Sequence, residues 1–209
     1  MVYKISRFVV WVVLRALCGF RVDGADHEPR SGPLLIVSNH VSDLDPLVVG
    51  VALRRPVRFM AKSELFRPPL LRWWVSACGA FPVRRGEPDR QALRTARTIL
   101  EQGGALVMFP EGTRGSSLYD LRPPEPGAAL LALRTGATVL PVAVIGTDRV
   151  LPRGARRLSR GTIRVRIGDV LRVDGAGRAT DAGRADRERI DTVGRQFMGE
   201  IARMLEGAR

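Results

Sequence analysis

Apolar residues in this chain fall into short blocks separated by polar text rich in glycine and proline, and the blocks alternate between two periods. PLLIVSN is continuously apolar from Leu34 and reads as a buried strand ending at Asn39-His40. The stretch from Asp45 to Leu53 reads as a helix, and Val57 to Ala61 as a second short strand. Residues 64–77, ELFRPPLLRWWVSA, form an apolar segment with helical character that Pro68-Pro69 interrupts. Phe81-Pro82-Val83 is a short extended piece. A helix over residues 88–102 follows, with Pro88 near its start and Gly103-Gly104 at its end.

ALVMFP then predicts a strand, EGTRGSSLYDLRPPEP a loop, residues 127–135 a helix and Thr138 to Ile145 another strand. Thr162 to Ile167 alternates apolar and polar side chains, as a half-buried strand does. From Ala185 onward, Ile190, Val193, Phe197, Ile201 and Met204 recur at steps of three and four, the mark of an amphipathic helix. Strands alternating with helices predict an α/β domain, here a single one over residues 23–209, with a mixed, largely parallel sheet flanked by helices.

Residues 1–22 stand apart. VYKISRFVVWVVLRALCGF carries Lys4, Arg7 and Arg15, and its longest uncharged run, Phe8 to Leu14, is far short of the roughly 20 apolar residues needed to span a bilayer. Three readings stand: an interfacial helix that buries Phe8, Trp11 and the valines with its cations at the headgroups, a first helix packed on the domain, or a signal segment. Against the last, Arg15 interrupts the apolar run. The overall charge favours the first. It makes the protein a peripheral or monotopic one at the cell membrane, on its cytoplasmic face.

That charge comes from 34 basic residues against 21 acidic, a net +13 over 209 residues, with lysine only at Lys4 and Lys62. Such an excess fits nucleic acid, an anionic membrane surface or an anionic small substrate. The preference for arginine over lysine is also what a GC-rich genome produces. Aromatics at 6%, basic residues spread along the chain and the lack of a reader motif argue against nucleic acid. Cys18 and Cys78 fit no metal-ligand spacing and suit a reducing compartment.

The chemistry is concentrated in NHVSDLD, residues 39–45. A histidine directly after a buried strand sits where a sheet edge opens into a crevice. Asp45, five residues on, begins the next helix, and a tight turn brings its carboxylate to the imidazole, fixing the tautomer and favouring the cation. Such a pair, with no side-chain nucleophile beside it, suits a base that deprotonates a substrate hydroxyl. Taken alone, the spacing arises by chance, and Asp45, Ser42 or Asp43 equally serves as a helix cap.

FPEGTRG, residues 109–115, places Glu111, Thr113 and Arg114 at a strand end, with Gly112 allowing close backbone approach. Arg114 suits phosphate. The plainer reading is a polar turn with a surface ion pair. GAFPVRRG, residues 79–86, puts Arg84 and Arg85 after a short strand, either turned into the same crevice or forming a solvated basic loop. VLPVAVIGT, residues 139–147, is an apolar strand with an internal proline, more structural than catalytic.

Together the four segments resemble the glycerolipid acyltransferases, whose best-known members are the 1-acyl-glycerol-3-phosphate acyltransferases. The family pattern is Asn-His-x4-Asp, Gly-x-Phe/Ile-x-Val-x-Arg, Phe-Pro-Glu-Gly-Thr-Arg and an apolar strand with a central proline. Here these stand in order at 39–45, 79–85, 109–114 and 139–144, joined by AKSELFRPPLL. The resemblance runs from about residue 20 to about residue 170. It implies His40 as general base and Asp45 as its orienting partner. It also implies Arg85, Glu111, Gly112, Thr113 and Arg114 at the acceptor site, with Pro141 shaping the donor side. The implied donor is acyl-coenzyme A or acyl-carrier protein and the implied acceptor a lysophospholipid, lysophosphatidic acid foremost. No metal or bound cofactor is implied. Two positions depart from the pattern. Gly115 replaces a common serine, and Glu125 replaces a lysine often found two residues before the glycine that opens the next helix. A carboxylate there opposes a phosphate and points to another lyso-lipid or glycolipid acceptor.

Overall fold

A computed structural model describes residues 1–84, 89–155, 157–173 and 184–207. Seven strands form one sheet: β1 (Arg21–Asp23), β2 (Leu34–Ser38), β3 (Val57–Lys62), β4 (Ala80–Val83), β5 (Ala105–Met108), β6 (Thr138–Ile145) and β7 (Arg164–Ile167), in the spatial order β1-β7-β6-β2-β5-β3-β4. Every pairing is parallel except β6 with β7. The mixed, largely parallel sheet predicted from the sequence is therefore present. The helices are α1 (Val2–Leu17), α2 (Asp45–Ala52), α3 (Pro69–Ala77), α4 (Arg90–Glu101), α5 (Pro126–Thr135), α6 (Thr147–Val150) and α7 (Arg184–Glu206).

β2 lies between β5 and β6, and all five of its residues are buried. A strand covered on both faces has no polar side to alternate with, which is why LLIVS is unbroken apolar text. Its side chains still divide by the period of two. Leu34 and Ile36 pack on one face with Val48 and Val49 of α2, with Leu53 just after it and with Leu14 of α1. Leu35 and Val37 pack on the other with Leu100 of α4, Ala132 of α5 and Phe197 and Ile201 of α7.

Pro141 occupies an internal strand position, normally unfavourable because proline cannot donate to the ladder. Its carbonyl accepts Gly168 N–H at 2.9 Å, just beyond the end of β7, and the strand resumes contact only through the Val139–Leu171 bridge. The missing donor thus falls at the gap between β7 and that bridge.

Three features differ from the sequence reading. β1 pairs with β7 where residues 20–23 gave no strand pattern, because a three-residue edge strand exists only through its partner. Residues 63–66 form a 3-10 turn, and α3 begins only at Pro69, with proline at the first position, where its missing N–H costs nothing. Arg7 and Arg15, read from the sequence only as headgroup ligands, donate to main-chain carbonyls: Arg7 to Arg54 and Val51, Arg15 to Phe20. With Val57 N–H donating to the Tyr3 hydroxyl, they pin α1 to the domain, while Phe8, Val9 and Trp11 remain exposed. No helix among the described residues is long and apolar enough to cross a membrane.

α4 starts at a cap that the predicted span 88–102 placed one or two residues early. The Asp89 carboxylate accepts Ala92 N–H at 3.0 Å and Arg84 N–H at 3.0 Å. Those amides, the Arg84 one foremost, hold its carboxyl below the usual range. Asp89→Ala is expected to cost about 1 kcal/mol at pH 7 in a urea melt, the usual cost of losing an N-cap. A lowered folded pKa contributes stability above the unfolded value, so the two proteins converge as pH falls below about 4.

Candidate active site

Parallel strands end together, and the carboxyl edge of β2, β5 and β6 gathers the loops that hold His40, Glu111 and Thr147. β2 stops at Ser38, and Asn39 continues its pairing by side chain. The Asn39 amide donates from Nδ2 to Val144 O at 2.8 Å, and Oδ1 accepts Val144 N–H at 2.8 Å. This side-chain bridge lets the main chain turn away from the sheet at His40 without leaving Val144 unpaired.

His40 is 3% exposed and Asp45 fully buried. Asp45 Oδ2 lies 2.9 Å from His40 Nδ1 and accepts the N–H groups of Val41 at 2.7 Å and Ser42 at 2.8 Å. Oδ1 accepts the Thr147 hydroxyl at 2.6 Å. A carboxylate only accepts, so the imidazole proton facing it resides on Nδ1 and Nε2 carries the free lone pair. The Phe109 ring stacks on the imidazole with centroids 4.2 Å apart. The Ser42 hydroxyl, two residues after the histidine, donates to Leu151 O at 2.8 Å, and that of Ser38, two residues before it, donates to Asn39 O at 3.2 Å. Asp45 is the first residue of α2, not its cap. Its carboxylate serves the turn and the ring together.

The loop after β5 grips His40 by its main chain. Glu111 Oε1 accepts His40 N–H at 2.9 Å, Gly115 N–H donates to His40 O at 2.7 Å, and Glu111 Oε2 accepts Arg122 N–H at 3.1 Å. Glu111 thus faces main-chain amides and orders the loop, which differs from contact with an acceptor. Burial pushes its carboxyl above the usual carboxylate range, against the pull of those two amides. Gly112 adopts φ +67°, and a Cβ there would meet Glu125 Cγ at 2.8 Å. The loop therefore packs directly on Glu125, whose N–H donates to Pro110 O at 2.7 Å.

Arg114 pairs with Asp43 at 2.6 Å, joining the two loops across the surface. Its fork retains further N–H donors. Thr113 is half-buried on the same loop. Arg85 lies outside the described residues. The structure thus brings His40, Asp45, Glu111, Gly112, Thr113 and Arg114 to one edge. It gives roles to three residues that the quoted motifs contain but to which no role was assigned. Asn39 and Thr147 lie 105 and 102 residues from their partners, and Phe109, the first residue of FPEGTRG, lays its ring on His40. The polar side chain directly after each apolar strand, in VSN and VIGT, was the available signal.

A family model for acyltransferases matches residues 19–145. The chain is 33% identical over 150 residues to the chloroplastic 1-acyl-sn-glycerol-3-phosphate acyltransferase of Brassica napus, covering 70% of this chain and 43% of that protein. It is 32% identical over 203 residues to the lyso-ornithine lipid O-acyltransferase of Pseudomonas aeruginosa, covering 87% of this chain and 76% of that one. The chain spans about half the length of the first curated relatives it matches. The crystal structure of the 1-acyl-sn-glycerophosphate acyltransferase of Thermotoga maritima superposes with a TM-score of 0.79 at 22% identity, over 99% of this chain and 79% of that one, a likeness of fold.

Glu111 yields a pH test of the loop clamp. Its raised folded pKa means that its share of stability is present below the unfolded value, near 4.3, and is lost as pH rises through the folded one. With Glu111→Gln as the non-titrating reference, wild type is expected to lose stability relative to the variant over that rise. A denaturant-derived difference that stays flat contradicts the burial.

Proposed function

The chain belongs to the acyltransferase family, and from that premise we propose that it moves a fatty acyl group from a thioester to the free hydroxyl of 1-acyl-sn-glycerol-3-phosphate, giving phosphatidic acid. The observation that carries this reading is the buried His40–Asp45 pair, with Nδ1 committed to Asp45 so that Nε2 is the nitrogen left to act as base.

On this reading the acceptor oxygen attacks the thioester carbonyl as Nε2 takes its proton, and Asp45 favours the imidazolium so formed. Collapse expels the thiolate, which receives that proton from His40, so the products are an oxygen ester and a free thiol. On this reading the transfer is direct, without an acyl-enzyme, and the Ser42 hydroxyl, turned to Leu151, is in keeping with that. Arg114 is the phosphate ligand of this reading, Arg85 is assigned the same role from the motif alone, and Thr113 and Gly112 shape the loop around the acceptor. The donor is acyl-coenzyme A or acyl-carrier protein. The enzyme works at the cytoplasmic face of the cell membrane, with residues 1–22 as its membrane-associating segment.

Glu125 favours a second reading. It packs on Gly112 in the proposed acceptor loop, where a carboxylate repels a phosphate and attracts an amine. A lyso-lipid with a cationic headgroup fits that charge, and one relative is named for lyso-ornithine lipid.

Thiol release from long-chain acyl-coenzyme A tests the chemistry in detergent micelles. His40→Ala is expected to remove release over background with the fold intact by circular dichroism, and a fully active variant overturns the mechanism. Asp45→Asn keeps the shape but not the charge and is expected to lower release by roughly 10²–10⁴-fold. An acceptor panel separates the two lipid readings. If the second holds, Glu125→Lys shifts preference towards the phosphorylated acceptor by about tenfold, the equivalent of 1.4 kcal/mol. If the first holds, wild type already prefers that acceptor.

A further inference from the structure

α3 is a short helix with an unusual outer face. Pro68 and Pro69 set its start, Val75 is its buried residue, and Leu70 (79%) and Trp73 (58%) stand largely in solvent. Leu65 of the preceding 3-10 turn and Trp74 are also exposed. Scattered apolar residues on a surface are ordinary, but four within ten positions, on one short helix and the turn before it, are not.

Arg67 and Arg72 flank these residues. Together with Pro69, Trp73, Ser76 and Ala77 they line an open cavity of about 500 Å³. Among the described residues, neither guanidinium lies within ion-pair distance of a carboxylate. Glu64, nearby, is the acidic group of this surface, and its carboxyl is lowered by the Glu64 main-chain amide first and by Arg67 and Lys62 in lesser part.

α3 also adjoins α1. Trp74 Nε1–H donates to Ser6 Oγ at 3.1 Å, across 68 residues of chain. α1 presents Ile5, Phe8 (64%), Val9 and Trp11 outward, with the Phe8 and Trp11 rings stacked at 6.2 Å. The two apolar faces are therefore joined by a hydrogen bond into one surface, and Arg67 and Arg72 add their positive charge to that of Lys4, Arg7 and Arg15 on α1.

We infer that α3 is a second membrane-docking element, which inserts Leu70 and Trp73 into an anionic lipid surface while Arg67 and Arg72 hold lipid phosphates in the cavity beside them. This rests on the lipid-acceptor reading above, which already requires the protein to reach a bilayer. It differs from attachment by residues 1–22 alone. Tryptophan suits the headgroup boundary, where its ring is buried and its N–H stays wet. Guanidinium suits phosphate, and each cation near an anionic surface strengthens binding about fivefold. An apolar surface flanked by unpaired cations matches an anionic bilayer better than a neutral protein partner.

Vesicle flotation decides it, with the full chain and vesicles of phosphatidylcholine alone or with phosphatidylglycerol. Leu70→Glu with Trp73→Glu is expected to weaken binding at least about tenfold, since apolar side chains no longer leave water. Arg67→Gln with Arg72→Gln is expected to remove most of the preference for phosphatidylglycerol. All four positions are exposed, so folding is retained, and thiol release with micellar acceptor stays near wild type. Failure of acyl transfer would appear in that micellar assay, while failure of this inference would appear in flotation with the assay unchanged. Binding that survives the α3 changes and is lost with Phe8→Glu assigns docking to α1 alone and overturns the proposal. So does a dimer in vesicle-free sedimentation that Leu70→Glu dissociates, because the face would then be covered by a second copy.

Discussion

A carboxylate with no contact to water is tolerated only when its lost hydration is replaced by donors. Asp45 meets that condition with four, drawn from His40, Val41, Ser42 and Thr147. Three of them lie in the turn after β2 and the fourth at the end of β6. The group can therefore be buried only when β2 and β6 are paired in the correct register. A slip of one residue would move Thr147 away and leave a buried charge short of a partner. The same bonds that make the carboxylate permissible also set the imidazole's tautomer and orientation, so folding of the sheet and preparation of the base are one event.

His40 itself is fixed from its main chain outward. Glu111 and Gly115 take its amide and carbonyl, Asn39 ties the preceding residue to Val144, and Phe109 bears on the ring. The histidine has little freedom left except through Nε2. A base held in this way loses no orientational entropy when a substrate arrives, which is the advantage of a site carried on strand ends. The raised carboxyl of Glu111 is the energetic mark of the arrangement: a buried acid kept because its two oxygens order two separate loops.

Much of this was legible in the sequence wherever the information was local. LLIVS announced a strand covered on both faces, the period of Ile190, Val193, Phe197 and Ile201 announced α7, and His40 with Asp45 announced a polar pair at a strand end. What escaped was set by register. Asn39 and Thr147 have meaning only beside residues more than 100 positions away, and no local pattern encodes that adjacency. β1 escaped because a three-residue edge strand is defined by β7. The main-chain bonds of two α1 cations escaped for a related reason. Arg7 and Arg15 read as headgroup ligands on an isolated helix, yet α2 and the turn before β1 place carbonyls within their reach.

Those carbonyls bear on the composition as well. Arg55 donates to the carbonyls of Pro29, Gly32 and Gly103, Arg166 to those of Met204 and Gly207, and Arg7 to two more. The planar guanidinium offers several donors in a fixed fork, so one arginine can close two or three chain ends where a lysine would satisfy them less well. A carbonyl accepts the bond without cancelling the charge. Arginine used as a structural clasp therefore leaves its full positive charge in place and contributes to the net +13 that 34 basic residues leave over 21 acidic ones. The excess is thus partly a by-product of how the loops are held, and its field is still available to any anionic surface the protein meets.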